Sequence, residues 1–463
     1  MTAVFEYFME RFGNRRFRQI LIGFAVGIFL CMLYWASNHV PRANLIPFAI
    51  AAVTGLVLLF QYPIIGLCLL AFIHASNIMT ILPTGFLLPL TVGTFGIVLL
   101  KKLTVSDMNV RLTPFVGMAI VLFAWFMASA IWAPSYDQFE VMIFIRLLAM
   151  ILAVAFVMEN PNHLIAVILA LGIGLIVSTV VTVEHMLSFF STGTLVQSGV
   201  EHGLDKARFF GYWSDPNACG MSAAPILVIN YALFRCKLPV AVRLVSLLSV
   251  FAGLVSVALS QSRSAGVMVA IALIIFIWSD KRRWILLGFT VVSAFAVLFV
   301  VKVDFLARMA TLLQGTRDTS VAARSAMLTG TIDMFSDYFP LGVGWGNVQT
   351  FSADYTLHLK KGLVSHNGFL DVFAEGGFIA LFFYLMLLLS VVPSLRIHRL
   401  RIIPENLEQT LGIGMIAVFC TLLIAILVGS YSFYQLYWFL FAVITSRAWV
   451  FCDNDRMAAQ DLK

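Results

Sequence analysis

The chain has 463 residues, 61% of them hydrophobic and only 11% charged, with a formal net charge of +7. No soluble arrangement of this length hides so much apolar surface from water, so the composition excludes a soluble domain and indicates an integral membrane protein. The positive balance does not indicate nucleic acid as a partner, because the basic residues are scattered over several short polar segments instead of one face.

Fourteen apolar runs of about 17–25 residues fit the roughly 30 Å hydrocarbon core as helices. They lie near 19–36, 44–60, 63–80, 83–100, 112–133, 139–158, 164–187, 217–234, 244–260, 264–279, 285–303, 368–393, 409–430 and 433–449. The expected fold is an all-α polytopic membrane protein of about 12–14 transmembrane helices. The first run follows Arg11, Arg15, Arg16 and Arg18 but is span-length and lacks a small-residue cleavage site, so it reads as an uncleaved anchor. With the amino terminus inside, 19 of the 30 Lys and Arg fall in inner segments. Ten fall outside, six of them between Lys302 and Lys361, and the last, Arg146, lies within a span. The positive-inside rule, read from the short loops, then puts both termini in the cytoplasm.

The organisation is one membrane domain, 1–463, with two outer excursions at 188–216 and 304–367. Cys31, Cys68, Cys219, Cys236, Cys420 and Cys452 lie in or beside spans or on the inner side, so no disulfide framework is implied. No internal repeat of the kind that marks secondary transporters is evident.

The shorter excursion runs through Glu201–Arg208 and an aromatic patch, Phe209–Trp213, to Asp215-Pro216-Asn217. Ser214 or Asp215 is placed to cap the next span, with Pro216 at its first position. In the longer excursion, Ser320 starts a predicted helix through Phe335, whose Val321, Met327, Leu328, Ile332 and Phe335 recur at helical spacing and suit a membrane surface. Asp333 and Asp337, one turn apart, read as its wet face. Pro340 with Gly342, Gly344 and Gly346 ends the helix in a tight turn, and the excursion closes on Ser365-His366-Asn367.

The chemistry is expected where these segments meet. Arg208, Arg263 in Ser260-Gln-Ser-Arg-Ser264, Arg324 and His366 all reach the outer face by topology. Arginine suits phosphate through its planar fork and permanent charge, so an outer-leaflet lipid diphosphate is a fitting ligand. The plain alternative is that these arginines solvate headgroups. His366 precedes a helix capped by Ser365 or Asn367, where the dipole favours a neutral imidazole able to take a proton; otherwise it simply bonds loop backbone.

Asp371 and Glu375 sit one turn apart as dipole-complementing or ion-pairing carboxylates. Arg146, costly in lipid, pairs with Glu140 or faces a headgroup cavity. Tyr212, Trp213, Trp345 and Tyr355 suit stacking on sugar rings or an ordinary interfacial belt. Asp215 and Asn217 complete the substrate-binding candidates. The sequence holds no Walker motif, nucleotide fingerprint or Cys/His cluster of metal spacing.

Arg208-Phe-Phe-Gly-Tyr-Trp-Ser-Asp-Pro-Asn217, Ser262-Arg263-Ser264, Arg324, Phe339-Pro-Leu-Gly-Val-Gly-Trp-Gly346, Ser365-His-Asn-Gly-Phe-Leu and Glu375-Gly-Gly377, in that order, resemble the O-antigen ligase and polymerase superfamily over about residues 200–395. The long late loop with its Arg, Arg, His trio resembles the ligase branch. That resemblance implies a GT-C-like membrane glycosyltransferase of the bacterial inner membrane, with its site on the periplasmic side. It would move an O-antigen chain from undecaprenyl diphosphate to a sugar hydroxyl of the lipid A core, with inversion and without metal, ATP or another cofactor.

Carried over, the resemblance makes Arg208 and Arg263 the diphosphate holders, Arg324 an assistant and His366 the base, all three arginines and the histidine serving a membrane-lipid donor and acceptor. The rivals are a polymerase that uses a second undecaprenyl-linked chain as acceptor, a protein-glycosylating ligase, and a lipid-linked oligosaccharide transporter. A transporter would place charges through the middle of its spans.

Overall fold

The computed structural model describes residues 54–55, 57–80, 87–105, 113–135, 138–192, 200–202, 207–279, 284–285, 288, 291–292, 319–355, 365–397, 400, 404 and 406–451. In chain order these form α1 (Pro63–Ser76), α2 (Leu87–Val105), α3 (Pro114–Ala128), α4 (Gln138–Val157) and α5 (Pro161–Thr192). A short hairpin follows, β1 (Val200–His202) and β2 (Ala207–Phe209), then α6 (Pro216–Arg235), α7 (Val240–Ser260) and α8 (Arg263–Trp278). The rest is α9 (Thr319–Asp337), α10 (Val348–Tyr355), α11 (Gly368–Val391), α12 (Leu407–Val428) and α13 (Gln435–Val450). The protein is an all-α polytopic membrane protein.

Six of these helices, α3, α5, α6, α7, α11 and α12, are apolar and long enough to cross a membrane, α3 and α11 with the short turns that follow them; α1, α2, α4 and α8 are shorter apolar helices. The apolar runs from 63–80 onward each match a helix, while 19–36, most of 44–60 and almost all of 285–303 lie outside the described residues. Helix starts follow local chemistry. Proline opens α1, α3, α5 and α6, where a missing N–H costs nothing, and Thr113, Asp215, Ser262, Asn367 and Asn406 cap their helices with side-chain oxygens.

Helix α6 is the hub, lying against α5, α7, α8 and α12. It is the least hydropathic of the six long spans and the most buried, so its surroundings are protein and not lipid. That lets it carry Ser222 and Asn230, the latter donating from Nδ2 to the carbonyls of Ile226 (3.0 Å) and Ile168 (3.3 Å). Two further layers flank the hub. α1 pairs with α5, and α3 with α11.

Because consecutive spans alternate in direction, the starts of α4, α6, α8, α11 and α13 gather on one face with the ends of α1, α3, α5, α7 and α12. α9 and α10 pack on α11, and the turn between them bonds the end of α3, so they belong to this same face. The 188–216 excursion is not wholly a loop: α5 extends to Thr192, and the hairpin pairs Glu201 with Arg208 in antiparallel register.

Arg447, one of the 19 Lys and Arg assigned to the inner side, is fully buried on α13. It donates to the Leu395 carbonyl and lies 3.8 Å from Glu408, which Arg396 approaches equally closely. Its charge is a packing element, not a topology signal.

Candidate functional site

Arg208 enters the protein from β2 and is buried. Its Nε donates to the Ser260 carbonyl at the end of α7 (3.0 Å) and its Nη2 to Asn217 Oδ1 at the start of α6 (3.1 Å), which fixes the guanidinium plane between two helix ends. The α7–α8 turn is equally constrained. Gln261 adopts the left-handed conformation and Ser262 Oγ accepts from the Ala265 N–H (3.4 Å), so Arg263 becomes the first residue of α8. The turn lies tight on α6 at Gly220, where a Cβ would stand 2.5 Å from Ser260 Oγ.

The aromatic patch after Arg208 anchors it from below. Phe209 packs on Leu259; Phe210 and Trp213 pack with Cys219, Tyr431 and Tyr434. Trp213 is buried and its Nε1 donates to Ser178 Oγ (2.8 Å), so its ring is wall and not the sugar platform expected. Asp215 likewise acts as the cap of α6, accepting from the Asn217 (2.7 Å) and Ala218 (3.0 Å) N–H groups, and Asn217 acts as an acceptor for Arg208. Tyr212 stays half-buried, its ring edge-on to His185 and its carbonyl accepting from Asn77 Nδ2 (2.8 Å).

His366 sits one residue before the cap of α11 with φ of 56°. Four bonds hold the segment around this left-handed residue in place. Its N–H donates to Ser430 Oγ (3.1 Å), the neighbouring Ser365 N–H donates to Asp371 Oδ1 (3.2 Å), and Asn367 Oδ1 caps α11 by accepting from Phe369 (3.1 Å) and Leu370 (3.2 Å). Asp371 is buried beneath the histidine's backbone, a brace for the loop.

The turn Tyr338–Asn347 is bound into the fold through its backbone. α11 kinks at Gly377, whose φ of 69° is open to glycine, and the kink frees the carbonyls of Ala374 and Glu375. Val343 (2.9 Å) and Gly344 (2.8 Å) donate to those two carbonyls. On the other side Trp345 N donates to Ser129 Oγ (3.0 Å) and Asn347 Nδ2 to the Ser135 carbonyl (3.1 Å). The half-buried Trp345 ring lies 4.5 Å from Phe144, 4.5 Å from Phe433 and 5.0 Å from Phe126, centroid to centroid, so it packs on an aromatic cluster at the edge of the core.

Arg146 lies on α4, with the Glu140 side chain outside the described residues. It borders a cavity of about 280 Å³ that His74, Asn77, Phe433, Tyr434 and Gln435 also line. With the Gln435 amide oxygen turned to the guanidinium, that oxygen accepts from Arg146 Nε (3.0 Å) and Nη2. The cavity expected beside Arg146 is present among the described residues. The Arg324 side chain lies outside the described residues, though its backbone belongs to α9, which covers α11 through Phe335 on Phe373 (3.8 Å). On α9, Met327 and Phe335 turn inward while Leu328 and Ile332, also expected in the apolar stripe, stay exposed; Asp333 is exposed as expected.

The element that unites these parts was read from sequence only as a break between spans. The turn Gly429–Tyr434 supports His366 through Ser430, packs Tyr431 and Tyr434 under the Arg208 strand, and leads into Gln435 beside Arg146. Its dense serine and tyrosine between two closely spaced spans was the available signal. The starts of α6, α8, α11 and α13 present helix N-termini on the same face as Arg208 and Arg263, interleaved with the ends of α1, α3, α5, α7 and α12. Among the described residues no three His, Cys, Asp or Glu side chains gather as metal ligands.

Residues 248–385 match the sequence model of the O-antigen ligase family. The chain carries an O-antigen ligase family domain. The match includes Arg263, Arg324, the Tyr338–Asn347 turn and His366, while Arg208 and Arg146 stand before it. No curated protein matches the chain by sequence. A membrane glycosyltransferase-like enzyme acting on lipid-linked polysaccharide is the activity this family indicates.

Proposed function

We propose that the protein is an O-antigen ligase, moving the polysaccharide from undecaprenyl diphosphate to a sugar hydroxyl of the lipid A core at the periplasmic face of the inner membrane. The observation that supports this reading is that the anchored Arg208, the helix-start Arg263 and the braced His366 share one face, with the Gly429–Tyr434 turn bonded to the His366 backbone and packed beside the residues that follow Arg208.

In the proposed reaction His366 accepts the proton of the acceptor hydroxyl as its oxygen attacks the anomeric carbon. The bond from that carbon to the diphosphate breaks with inversion, and the leaving group keeps the electron pair. Arg208 and Arg263 stabilise the charge that develops on it, as preorganised donors do in a water-poor site. Arg324 and the Arg146 cavity hold further parts of the anionic lipid donor, and Tyr212 is an aromatic at the edge for sugar contact. No step calls for metal or ATP.

The test is a transfer assay with purified protein, undecaprenyl-diphosphate-linked glycan and lipid A core, without metal or ATP. Glycan on the core supports the ligase; elongation only on undecaprenyl diphosphate replaces it with the polymerase; no reaction with either acceptor returns the question to transport. Arg263→Ala should weaken both donor retention and turnover.

A further inference from the structure

A second polar cavity, of about 270 Å³, lies on the face opposite the candidate site, where the start of α1, the last turns of α2, the end of α4 and the start of α5 meet. Its lining combines an apolar base, Ile64, Val98 and Phe156, with four polar groups, Gln61, Lys101, Glu159 and His163. Gln61 is 8% exposed, and neither its amide oxygen nor its amide nitrogen has a hydrogen-bond partner within the protein. Buried amides are satisfied in folded proteins, so this group indicates a ligand that both donates and accepts. The space is far larger than a single bridging water needs.

The other groups say which ligand. Lys101 Nζ donates to the Gln61 backbone carbonyl (2.9 Å), which holds the ammonium on the cavity wall. His163 Nδ1 lies 2.7 Å from the Val157 carbonyl and accepts from the Glu159 N–H (3.4 Å), which fixes the ring on the cavity wall. Glu159 is exposed at the rim. A cation and an amide donor, together with a carboxylate and an amide oxygen, match a phosphate and an ammonium joined by a short link.

We propose that this cavity holds the headgroup of a zwitterionic phospholipid with a primary amine, its phosphate toward Lys101 and Gln61 Nε2 and its ammonium toward Gln61 Oε1 and Glu159. A trimethylated amine has no N–H for those acceptors, and a glycerol headgroup has no cation for Glu159. Charge-assisted bonds of this kind amount to about a tenfold preference. The site lies across the membrane from His366 and Arg263, so it is independent of the transfer reaction.

The test uses the full chain in nanodiscs of neutral host lipid doped equally with phosphatidylethanolamine, phosphatidylcholine and phosphatidylglycerol, with retained lipid counted by native mass spectrometry. Phosphatidylethanolamine should be retained about tenfold over both others, and Gln61→Leu, which keeps the side-chain volume, should erase the preference. Equal retention of all three, a preference for phosphatidylglycerol, or an unchanged preference in Gln61→Leu would each overturn the proposal. If Gln61→Leu does not fold, Glu159→Gln at the exposed rim decides the same question: loss of the amine preference supports the site and its persistence removes it.

Discussion

Two turns on the same face do opposite kinds of work. In Tyr338–Asn347 the backbone is consumed by the fold: Val343 and Gly344 donate to the carbonyls that the Gly377 kink releases, and Asn347 is tied to Ser135, whose Oγ donates back to it (2.5 Å). In Gly429–Tyr434 it is groups reaching outward that matter. Ser430 supports His366, the Ser432 carbonyl accepts from Trp438 Nε1 (2.7 Å) and Tyr384 Oη (3.3 Å), and Tyr434 Oη accepts from Ser222 (3.3 Å). The first turn clasps α3 to α11 and should govern stability. The second sets the position of the reacting groups and should govern rate.

The sharpest way to break this contrast is His366→Ala. Loss of a general base should lower transfer by about 10²–10⁴-fold. Donor retention and thermal stability should stay near those of the parent protein, because the bonds that hold this segment come from the His366 backbone and from Ser365 and Asn367. Turnover at the parent rate would remove the mechanism. Next in size is Gly377→Ala. A Cβ there would lie 2.1 Å from the Pro340 carbonyl oxygen at a φ of 69°, so strain and collision together should cost about 3 kcal/mol. A melting temperature unchanged in detergent would show that the clasp does not hold α11.

How far these roles were legible beforehand depends on the kind of signal. Apolar runs placed the described spans, and Asp215-Pro216 and Asn367 announced their caps, because both depend on local chemistry alone. The burial of Trp213 and the packing of Trp345 on Phe144 were not legible, since an aromatic in a membrane interface and one against a helical core look the same in sequence. Nor was the docking of Pro340–Gly346 on Glu375-Gly376-Gly377. Both motifs were visible, but the bonds between them depend on a kink that no periodicity reports. The Gly429–Tyr434 turn was passed over because its role lies entirely in long-range contacts.

Ser430→Ala is the milder probe of the second turn. It removes the acceptor of the His366 N–H and a hydroxyl bonded to Asp371. A net loss of about 1 kcal/mol corresponds to roughly a fivefold drop in turnover, with little change in melting temperature. A fall in stability larger than the fall in rate would place this turn in the same class as the clasp.

The smallest expected effect tests whether the clasp needs support from outside. Tyr355 at the end of α10 donates to Asp337 at the end of α9 (2.5 Å), joining the two helices that flank the clasp turn. This bond to the carboxylate, with a lesser contribution from burial, pushes the phenol from its usual 10 up to about 12. A raised folded-state value means the stabilisation is complete below pH 10 and is lost as pH rises toward 12. The pair is solvent-facing, so screening limits it to a few tenths of a kcal/mol. Tyr355→Phe should therefore melt almost as the parent does at pH 7, and the small difference should vanish by about pH 12. If Tyr355→Phe instead matched Gly377→Ala in its loss of stability, the clasp would be held from its outer edge and not by the carbonyls of the kinked helix.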